Sequence, residues 1–456
     1  MLFSSVPFLF YFLPCVLLVY FLVPGTLKNG VLLLASLLFY GWGEPRYLLV
    51  MLAAIAQGYV FGLLIEKSRG KRRAGLYLAL SVLLSLGTLA YFKYADFMIR
   101  NLNALTGLSV PLLSLALPVG ISFYTFQILS YTVDVYRGTV PAQRNLIDLA
   151  AYIAMFPQLI AGPIVRYADI EEQLNRRSVN ITRFGIGAEF FIKGLAKKVL
   201  LADNLSALYS GICGNPSMSV LTAWIGIFAY TMQIYFDFSG YSDIAIGLGR
   251  MFGFRFDENF RHPFACTTIA EFWQRWHISL GSFFRDYLLY VPFFGKPRKY
   301  FGLFLVWFCT GLWHGAAWHY VAWGLYFGVL LVVEKFLLRK LLEKSHVISH
   351  IYAMLMIICG WVIFRCDSVS DALSFIGSMF GASGLYGNDT VPSPVLLQQS
   401  GVSTVFFVTL IFAVLFSAPI IPWLKNKLES SCTKLALRGA VYCTADFVLI
   451  VLLVLS

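Results

Sequence analysis

The feature of this sequence that most limits its possible folds is a series of long stretches without charged side chains. One of them, from Phe301 to Val333, contains no Asp, Glu, Lys or Arg. A helix needs about 20 mostly apolar residues to cross a lipid bilayer, and several stretches reach that length. Charged residues make up only 13% of the chain, about half of their usual share in soluble domains. The chain is therefore predicted to be an integral membrane protein.

The apolar stretches predict an all-α fold, a polytopic bundle of about 10–12 transmembrane helices. No polar linker divides the chain, so residues 1–456 are expected to form a single membrane-embedded domain. The N-terminus has no basic region or small-residue cleavage site, which favours a retained first helix over a cleaved signal peptide. The candidate spans are residues 6–24, 29–43, 48–65, 75–93, 111–133, 183–205, 217–238, 301–319, 320–338, 348–366, 403–424 and 438–456.

Basic residues in the connecting loops predict the orientation of the chain. Loops rich in Lys and Arg stay on the cytoplasmic side of a membrane, and the most basic loop, residues 67–73, is placed there. Alternation then puts the N-terminus outside. Residues 204–216 and 367–402 fall outside and contain no Lys or Arg. The segments that fall inside are all basic: 137–148, 166–183, 250–299, 335–344 and 425–438.

Two segments do not fit simple crossings of the membrane. Residues 149–165 are apolar, lie between two basic segments and contain Pro157, Gly162 and Pro163. A re-entrant or in-plane segment is predicted, because irregular backbone at membrane depth must be shielded by protein or line a cavity. Residues 239–300 are aromatic and rich in Arg. They are predicted to form interfacial and short re-entrant helices on the cytoplasmic face.

A pair of polar residues lies at the inner end of one predicted span. Gln233 and Asp237 are four residues apart, so they share one face of a helix. A carboxylate at that depth usually faces the interior of a bundle or a wet cavity. Both a role in a functional site and a hydrogen-bonded contact between helices fit this placement.

Two histidines stand next to tryptophans. His277 follows Trp276, and His314 lies between Trp313 and Gly315 within the long uncharged run. Burial disfavours a charged imidazole, so a buried histidine stays neutral and can accept a proton as a general base. A histidine that is held by a backbone carbonyl for structural reasons is the alternative at both positions.

Several other chemistries find little support in the sequence. The eight cysteines form no CxxC pair and are interpreted as packing residues. His314 and His319 are five residues apart and point to different helix faces, which disfavours a metal site. The segment from Gly247 to Gly249 is too short a match for a phosphate-binding loop, and no Gly-x-Ser-x-Gly motif is present. The net charge of +12 comes from loop residues, so no nucleic-acid partner is predicted.

The motifs taken together resemble one family. Trp276-His277, followed by Trp313-His314-Gly315, resembles the membrane-bound O-acyltransferases. More narrowly, the chain is similar to the membrane subunits of bacterial alginate O-acetyltransferases, with the D-alanyl transfer proteins of teichoic acids as a sister group. The narrower resemblance rests on residues 1–5, 131–138, 156–163 and 236–243. It covers residues 1 to about 370, and residues 371–456 are expected to form an outer loop and the last two spans.

The resemblance implies acyl transfer from a thioester to a hydroxyl within a central tunnel at membrane depth. His314 would be the base that deprotonates or orients the attacking hydroxyl. His277 would line the cytoplasmic part of the tunnel and position the donor or polarise its carbonyl. The donor substrate would be acetyl-CoA or another acyl thioester, with no bound cofactor or metal. The residues expected to line the tunnel or orient a substrate are Gln233, Asp237, Trp276 and Trp313.

The resemblance also implies partners and a location. Arg forks suit phosphate groups, so Arg250, Arg275 and Arg285 are predicted to contact phosphates of the donor, with ordinary cytoplasmic loop charge as the alternative. The acetyl group would pass outward to a separate extracytoplasmic acyltransferase that modifies a polysaccharide. A multi-pass protein of the bacterial inner (cytoplasmic) membrane, embedded in its lipid bilayer, is expected.

Two alternative functions stay open at this stage. One is D-alanylation of teichoic acid, which would use the same histidine and a carrier-protein donor. The other is transport of a small anion or sugar, since many spans and buried polar residues fit a transporter equally well. Transporters often contain internal repeats, and none is visible in this sequence, which favours the acyltransferase.

Overall fold

A computed structural model describes residues 2–159, 162–213, 219–289, 299–382, 404–420, 423, 427, 444 and 448–453. Within these ranges the regular elements are all helices, which confirms the predicted all-α fold. Most of the predicted outer loop and of the last span lies outside the described residues. The contacts divide the chain into two compact units. Unit 1 consists of Met1–Phe191 and Ile244–Asp257, and unit 2 of Ile192–Asp243 and Glu258–Ser456. The expected single domain stays a prediction.

The helices are numbered in chain order. The first ten are α1 Leu13–Leu22, α2 Lys28–Gly43, α3 Leu48–Lys67, α4 Arg72–Thr106, α5 Ile121–Arg137, α6 Leu146–Ala154, α7 Phe156–Leu159, α8 Tyr167–Asn175, α9 Ile181–Ala196 and α10 Asp203–Cys213. The others are α11 Val220–Met251, α12 Ile269–Arg275, α13 Ile278–Phe284, α14 Lys299–His314, α15 Trp318–Val333, α16 Arg339–Leu342, α17 His346–Arg365, α18 Val369–Met379 and α19 Thr404–Ser417. Single π-helical turns extend α1, α9, α13 and α15.

Four helical segments of the described chain are long and apolar enough to cross a membrane. They are α3, α4, the segment Trp318–Leu342 that begins with α15, and α17. Shorter apolar helices cover Pro7–Leu22, Tyr300–His314 and Phe406–Ser417. A polytopic membrane protein is therefore supported by the structure. The total of about 10–12 spans stays a prediction.

Two predicted spans have different limits in the structure. Helix α5 begins at Ile121, ten residues after the start of the predicted span 111–133. Pro111 and Pro118 lack the N–H that a helix interior needs, and Gly120 has a left-handed φ of 75°. Helix α11 continues beyond the predicted span 217–238, through Asp243 to Met251. The charged residues of the motif 236–243 therefore lie on the same helix as that span.

Unit 2 is built around a cluster of large aromatic side chains. Trp323 and Trp361 are each 1% exposed, and Phe327 is fully buried. The Trp273 ring lies 5.0 Å from the Phe327 ring and 5.6 Å from the Trp323 ring, both close to edge-on. These contacts fix the short helix α12 against α15 and α17, because aromatic rings bury a large apolar area with defined geometry.

Within unit 1, helix α9 and the end of α11 touch through their backbones. A Cβ added at Gly187 would lie 2.7 Å from the carbonyl oxygen of Gly247 and 3.0 Å from the nitrogen of Met251. Such close approach requires glycine on both helices. Gly247 therefore serves helix packing, in agreement with the rejection of a phosphate-binding loop at this position.

The contact between α9 and α11 predicts unequal effects of two glycine substitutions on one helix. Gly187→Ala is expected to lower the melting temperature of the detergent-solubilised protein, since overpacking costs about 1–3 kcal/mol. Gly185 has open space around its Cβ position, so Gly185→Ala should be neutral or stabilising by up to about 1 kcal/mol. Equal melting temperatures for the two variants would contradict the close contact.

Candidate active site

His277 occupies a strained backbone position between helices α12 and α13. Its φ is 45°, a left-handed value that is uncommon for residues with side chains but enriched for Asn, Asp and His. The residue is 2% exposed, and its ring lies 4.6 Å from the Phe238 ring and 5.8 Å from the Trp313 ring. Burial lowers the pKa of His277 to about 3. The imidazole is therefore neutral at physiological pH.

The side chain of Asn259 determines how the His277 ring is held. Asn259 Oδ1 lies 3.2 Å from His277 Nδ1 and accepts hydrogen bonds from the backbone nitrogen and the hydroxyl of Ser279. Asn259 Nδ2 donates to the hydroxyl of Ser242 on α11 at 3.2 Å. An amide oxygen only accepts, so this contact assigns the ring proton to Nδ1 and the lone pair to Nε2. Nε2 is buried and has no hydrogen-bond partner among the described residues.

His314 ends helix α14 and stands among aromatic rings. Its ring is half-buried and lies 4.8 Å from Trp313, 4.9 Å from Trp323 and 5.1 Å from Phe364. The Trp313 ring also contacts the His277 ring. The structure thus brings together three residues that the sequence singled out, with the indole in contact with both imidazoles.

Helices α14 and α15 form a hairpin in which glycines occupy the points of closest approach. A Cβ at Gly311 would collide with the carbonyl oxygen of Tyr320, and one at Gly324 would collide with the backbone of α14. At Gly315, a Cβ would overlap the ring of Tyr320. The glycine after His314 is therefore explained by packing at the turn, and the hairpin holds the histidine in a fixed position.

Asp237 is paired within the protein. Lys198 Nζ lies 3.0 Å from Asp237 Oδ1, and Gln233 Nε2 donates to Oδ2 at 3.2 Å. Lys198 also lies 2.7 Å from a carboxylate oxygen of Asp203. The contact between Gln233 and Asp237 is the one that their four-residue spacing predicts. Because the carboxylate already has two partners, the geometry favours an orienting role over direct chemistry.

Several residues of this region were not among those predicted from the sequence. Lys197 forms a second ion pair, with its Nζ 2.6 Å from a carboxylate oxygen of Asp243. Two adjacent lysines within the predicted span 183–205 were a usable signal, since buried charges need partners. Asn259 gave no comparable signal, because its role depends on the chain folding back to His277.

The three predicted phosphate contacts lie in different surroundings. Arg275 pairs with Glu271 one helical turn away, and Arg285 pairs with the neighbouring Asp286. Arg250 instead lines a cavity of unit 1 together with four other arginines. The predicted role of Arg275 and Arg285 stays a prediction, and both guanidinium groups already have carboxylate partners.

Ring packing or a contact with a backbone carbonyl accounts for the positions of Trp276, His319 and His350. The Trp276 ring is 4% exposed and lies 4.9 Å from Trp361, inside the aromatic cluster, so its predicted place in a tunnel wall is untested. His319 Nδ1 lies 3.0 Å from the carbonyl oxygen of Asp367, and His350 Nδ1 lies 2.9 Å from that of Cys266. In the ranges that the structure describes, no group of three or more His, Cys, Asp or Glu side chains could hold a metal ion.

Both site histidines lie in the part of the chain that matches a known protein family. Residues 140–369, half of the chain, match the model of the MBOAT, membrane-bound O-acyltransferase family. Over 390 residues the chain is 42% identical to a probable alginate O-acetylase of Azotobacter vinelandii, covering 83% of this chain and 78% of that protein. The chain belongs to the membrane-bound O-acyltransferase family. Both the predicted resemblance and the predicted enzyme class are thereby confirmed.

Two further relatives are named for different acceptors, peptidoglycan and teichoic acid. The chain is 33% identical over 426 residues to a peptidoglycan O-acetyltransferase of Helicobacter pylori, covering 84% of this chain and 81% of the relative. It is 32% identical over 240 residues to a teichoic acid D-alanyltransferase of Bacillus subtilis, covering 48% of this chain and 59% of the relative. The protein is thus a membrane O-acyltransferase, and the transporter alternative falls away.

The contact between Asn259 and His277 predicts a loss of acyl transfer in Asn259→Ala. Removal of the acceptor leaves Nδ1–H with only the longer 3.5 Å contact to the Ser279 hydroxyl, at a cost of about 1–3 kcal/mol, so the rate should fall about tenfold or more. Ser279→Ala removes another partner of the same oxygen and serves as the control with a smaller effect. Transfer rates are measured per amount of folded protein. A folded Asn259→Ala variant at full rate would contradict the role of Asn259.

Proposed function

We propose that the protein moves an acetyl or other short acyl group from a cytoplasmic thioester, such as acetyl-CoA, through a tunnel towards an extracytoplasmic polysaccharide hydroxyl. The observation that carries the proposal is the contact of the Trp313 ring with both His277 and His314. These residues lie in the matched family region. The relatives that match most of the chain are named as O-acetyl-transferring enzymes of alginate and peptidoglycan, which supports acetyl transfer to a polysaccharide.

His314 acts as the general base in this proposal. Its imidazole accepts the proton of an attacking hydroxyl on the separate acyltransferase, and that oxygen forms an ester bond to the thioester carbonyl carbon. The carbon–sulfur bond breaks, and the imidazolium returns the proton to the leaving thiolate. The separate acyltransferase later passes the acyl group to the polysaccharide hydroxyl. The aromatic rings around His314 support this role, because they hold the imidazole in a defined orientation.

His277 positions a substrate through its Nε2. With the proton on Nδ1, the Nε2 lone pair, which is buried and has no hydrogen-bond partner among the described residues, accepts a hydrogen bond from a hydroxyl or amide group of the substrate. A neutral ring of this tautomer does not donate from Nε2 to a carbonyl, so positioning is favoured over polarisation of the thioester. Gln233 and Asp237 act one step further away, where they keep α11 in place through Lys198.

The distribution of charge along the chain supports transfer from the cytoplasmic to the outer side. Basic segments mark the cytoplasmic side, where thioester donors are made, and the N-terminus lies outside. A polysaccharide acceptor on the outer side requires the acyl group to cross the membrane, and a separate extracytoplasmic acyltransferase completes the transfer. We place the protein in the bacterial inner membrane on these grounds.

The proposal predicts that cells with His314→Ala lose O-acetyl groups from their polysaccharide. General bases contribute about 10²–10⁴-fold to rates, so ester-linked acetate should fall at least about a hundredfold. Acetate released by mild alkali is measured, with the amount of protein in the membrane determined in parallel. His346→Ala, at an exposed histidine that begins α17, is the matched control. A wild-type level of ester-linked acetate, with a wild-type amount of the His314→Ala protein in the membrane, would contradict the mechanism.

The same alkaline extract separates acetylation from D-alanylation. Both esters are released by mild alkali, and D-alanine is measured alongside acetate. Acetate that depends on His314 supports the proposed function. D-alanine that depends on His314, with acetate unaffected, would replace it with transfer to teichoic acid.

A further inference from the structure

A cavity within unit 1 is lined by an unusual number of arginines. Its volume is about 570 Å³, within the range of small-molecule sites. No acidic residue occurs among the described residues that line it. The arginines come from two stretches of chain that were both predicted to be cytoplasmic from their loop charge. They are Arg176, Arg177, Arg183, Arg250 and Arg255, called here the arginine pocket.

The charges of the arginine pocket are largely uncompensated. In the described ranges, the ion pairs do not include Arg176, Arg177, Arg183 or Arg255. Arginines elsewhere on the predicted cytoplasmic side do pair, for example Arg261 with Glu258. Like charges gathered in a concave surface repel one another and focus a positive potential, which favours an anionic ligand.

Arg177 is the most firmly held member of the pocket. Its Nε donates to the Tyr20 hydroxyl at 2.9 Å, and its Nη1 donates to the Leu174 carbonyl at 3.2 Å. The guanidinium also packs 4.4 Å from the centre of the Phe254 ring. Its buried Nη2 has no hydrogen-bond partner among the described residues. Arg177 therefore presents a fixed positive charge at the wall of the pocket, which a bound anion would compensate.

The backbone next to Arg177 is shaped to admit this arrangement. Gly253 has a left-handed φ of 91°, and a Cβ there would lie 2.9 Å from Val179 and 3.4 Å from Arg177 Cδ. A Cβ at this position would collide with the Val179 side chain and stand in contact with that of Arg177. The pocket is therefore built by both stretches of chain, and its arginines are more than scattered surface charge.

We propose that the arginine pocket binds a phosphate-bearing ligand. Arginine forks match phosphate oxygens in geometry, and the number of arginines suits a group with more than one negative charge. Two sources have this chemistry: the nucleotide part of a coenzyme A thioester and the headgroup of an anionic phospholipid. The first source rests on the proposed function, whereas phosphate binding itself does not.

Binding is tested on the purified full-length protein in neutral detergent, with coenzyme A as the soluble probe. The variant carries Arg183→Gln and Arg255→Gln, two exposed residues whose replacement leaves Arg177 and its partners in place. Arg261→Gln removes an exposed arginine outside the pocket and is the control. Loss of charge-assisted hydrogen bonds should weaken binding about tenfold for each arginine, while the control stays within about twofold.

The lipid source is tested with nanodiscs of phosphatidylcholine alone or with added phosphatidylglycerol. If the lipid is the ligand, phosphatidylglycerol raises the melting temperature of the wild type and of Arg261→Gln, and the double variant loses that rise. If coenzyme A is the ligand, its affinity falls in the double variant and the lipid effect does not change. Equal behaviour of double variant and wild type towards both probes would overturn the proposal.

His314→Ala separates this inference from the proposed function. The variant is expected to bind coenzyme A or phosphatidylglycerol as tightly as the wild type, because His314 does not line the arginine pocket. If acetylation persists in His314→Ala, the proposed mechanism fails and phosphate binding stands. If acetylation is lost while the pocket variants bind normally, only the phosphate site fails.

Discussion

The rest of the structure depends on the requirement that charges inside an apolar body find partners within the protein. Lys197 and Lys198 meet this requirement by pairing with Asp243 and Asp237 of α11. Breaking such a pair leaves a partly buried charge without compensation, which costs more than an exposed surface ion pair contributes. Helix α11 is thereby held along its charged stretch. The hydroxyl of Ser242, through which Asn259 is anchored, lies within that stretch.

Aromatic packing provides the surroundings in which the site chemistry works. The rings of Trp273, Trp323 and Phe327 pack edge to face around the short helix α12, and the Trp323 ring reaches His314. Close packing of this kind excludes water, so polar interactions among the remaining groups are stronger than in solution. Burial in such surroundings lowers the pKa of His277, so its imidazole stays neutral.

The sequence anticipated the membrane class, the all-α fold and the family, because hydropathy and short motifs are local properties of the chain. It also anticipated the contact between Gln233 and Asp237, since helical spacing alone brings them together. The role of Asn259 was not predictable, because it arises when the chain folds back on His277. The arginine pocket was missed for the same reason: its members lie far apart in sequence, and Arg250 was instead grouped with arginines that already have carboxylate partners.

The left-handed backbone at His277 limits the residues that evolution can place at this position. Apart from glycine, the residue types that adopt this conformation readily are Asn, Asp and His, and all three carry a hydrogen-bonding side chain. The turn between α12 and α13 thus selects for polar chemistry before any substrate is present. Substitution by an apolar residue at this position would strain the main chain, independently of any selection for acyl transfer.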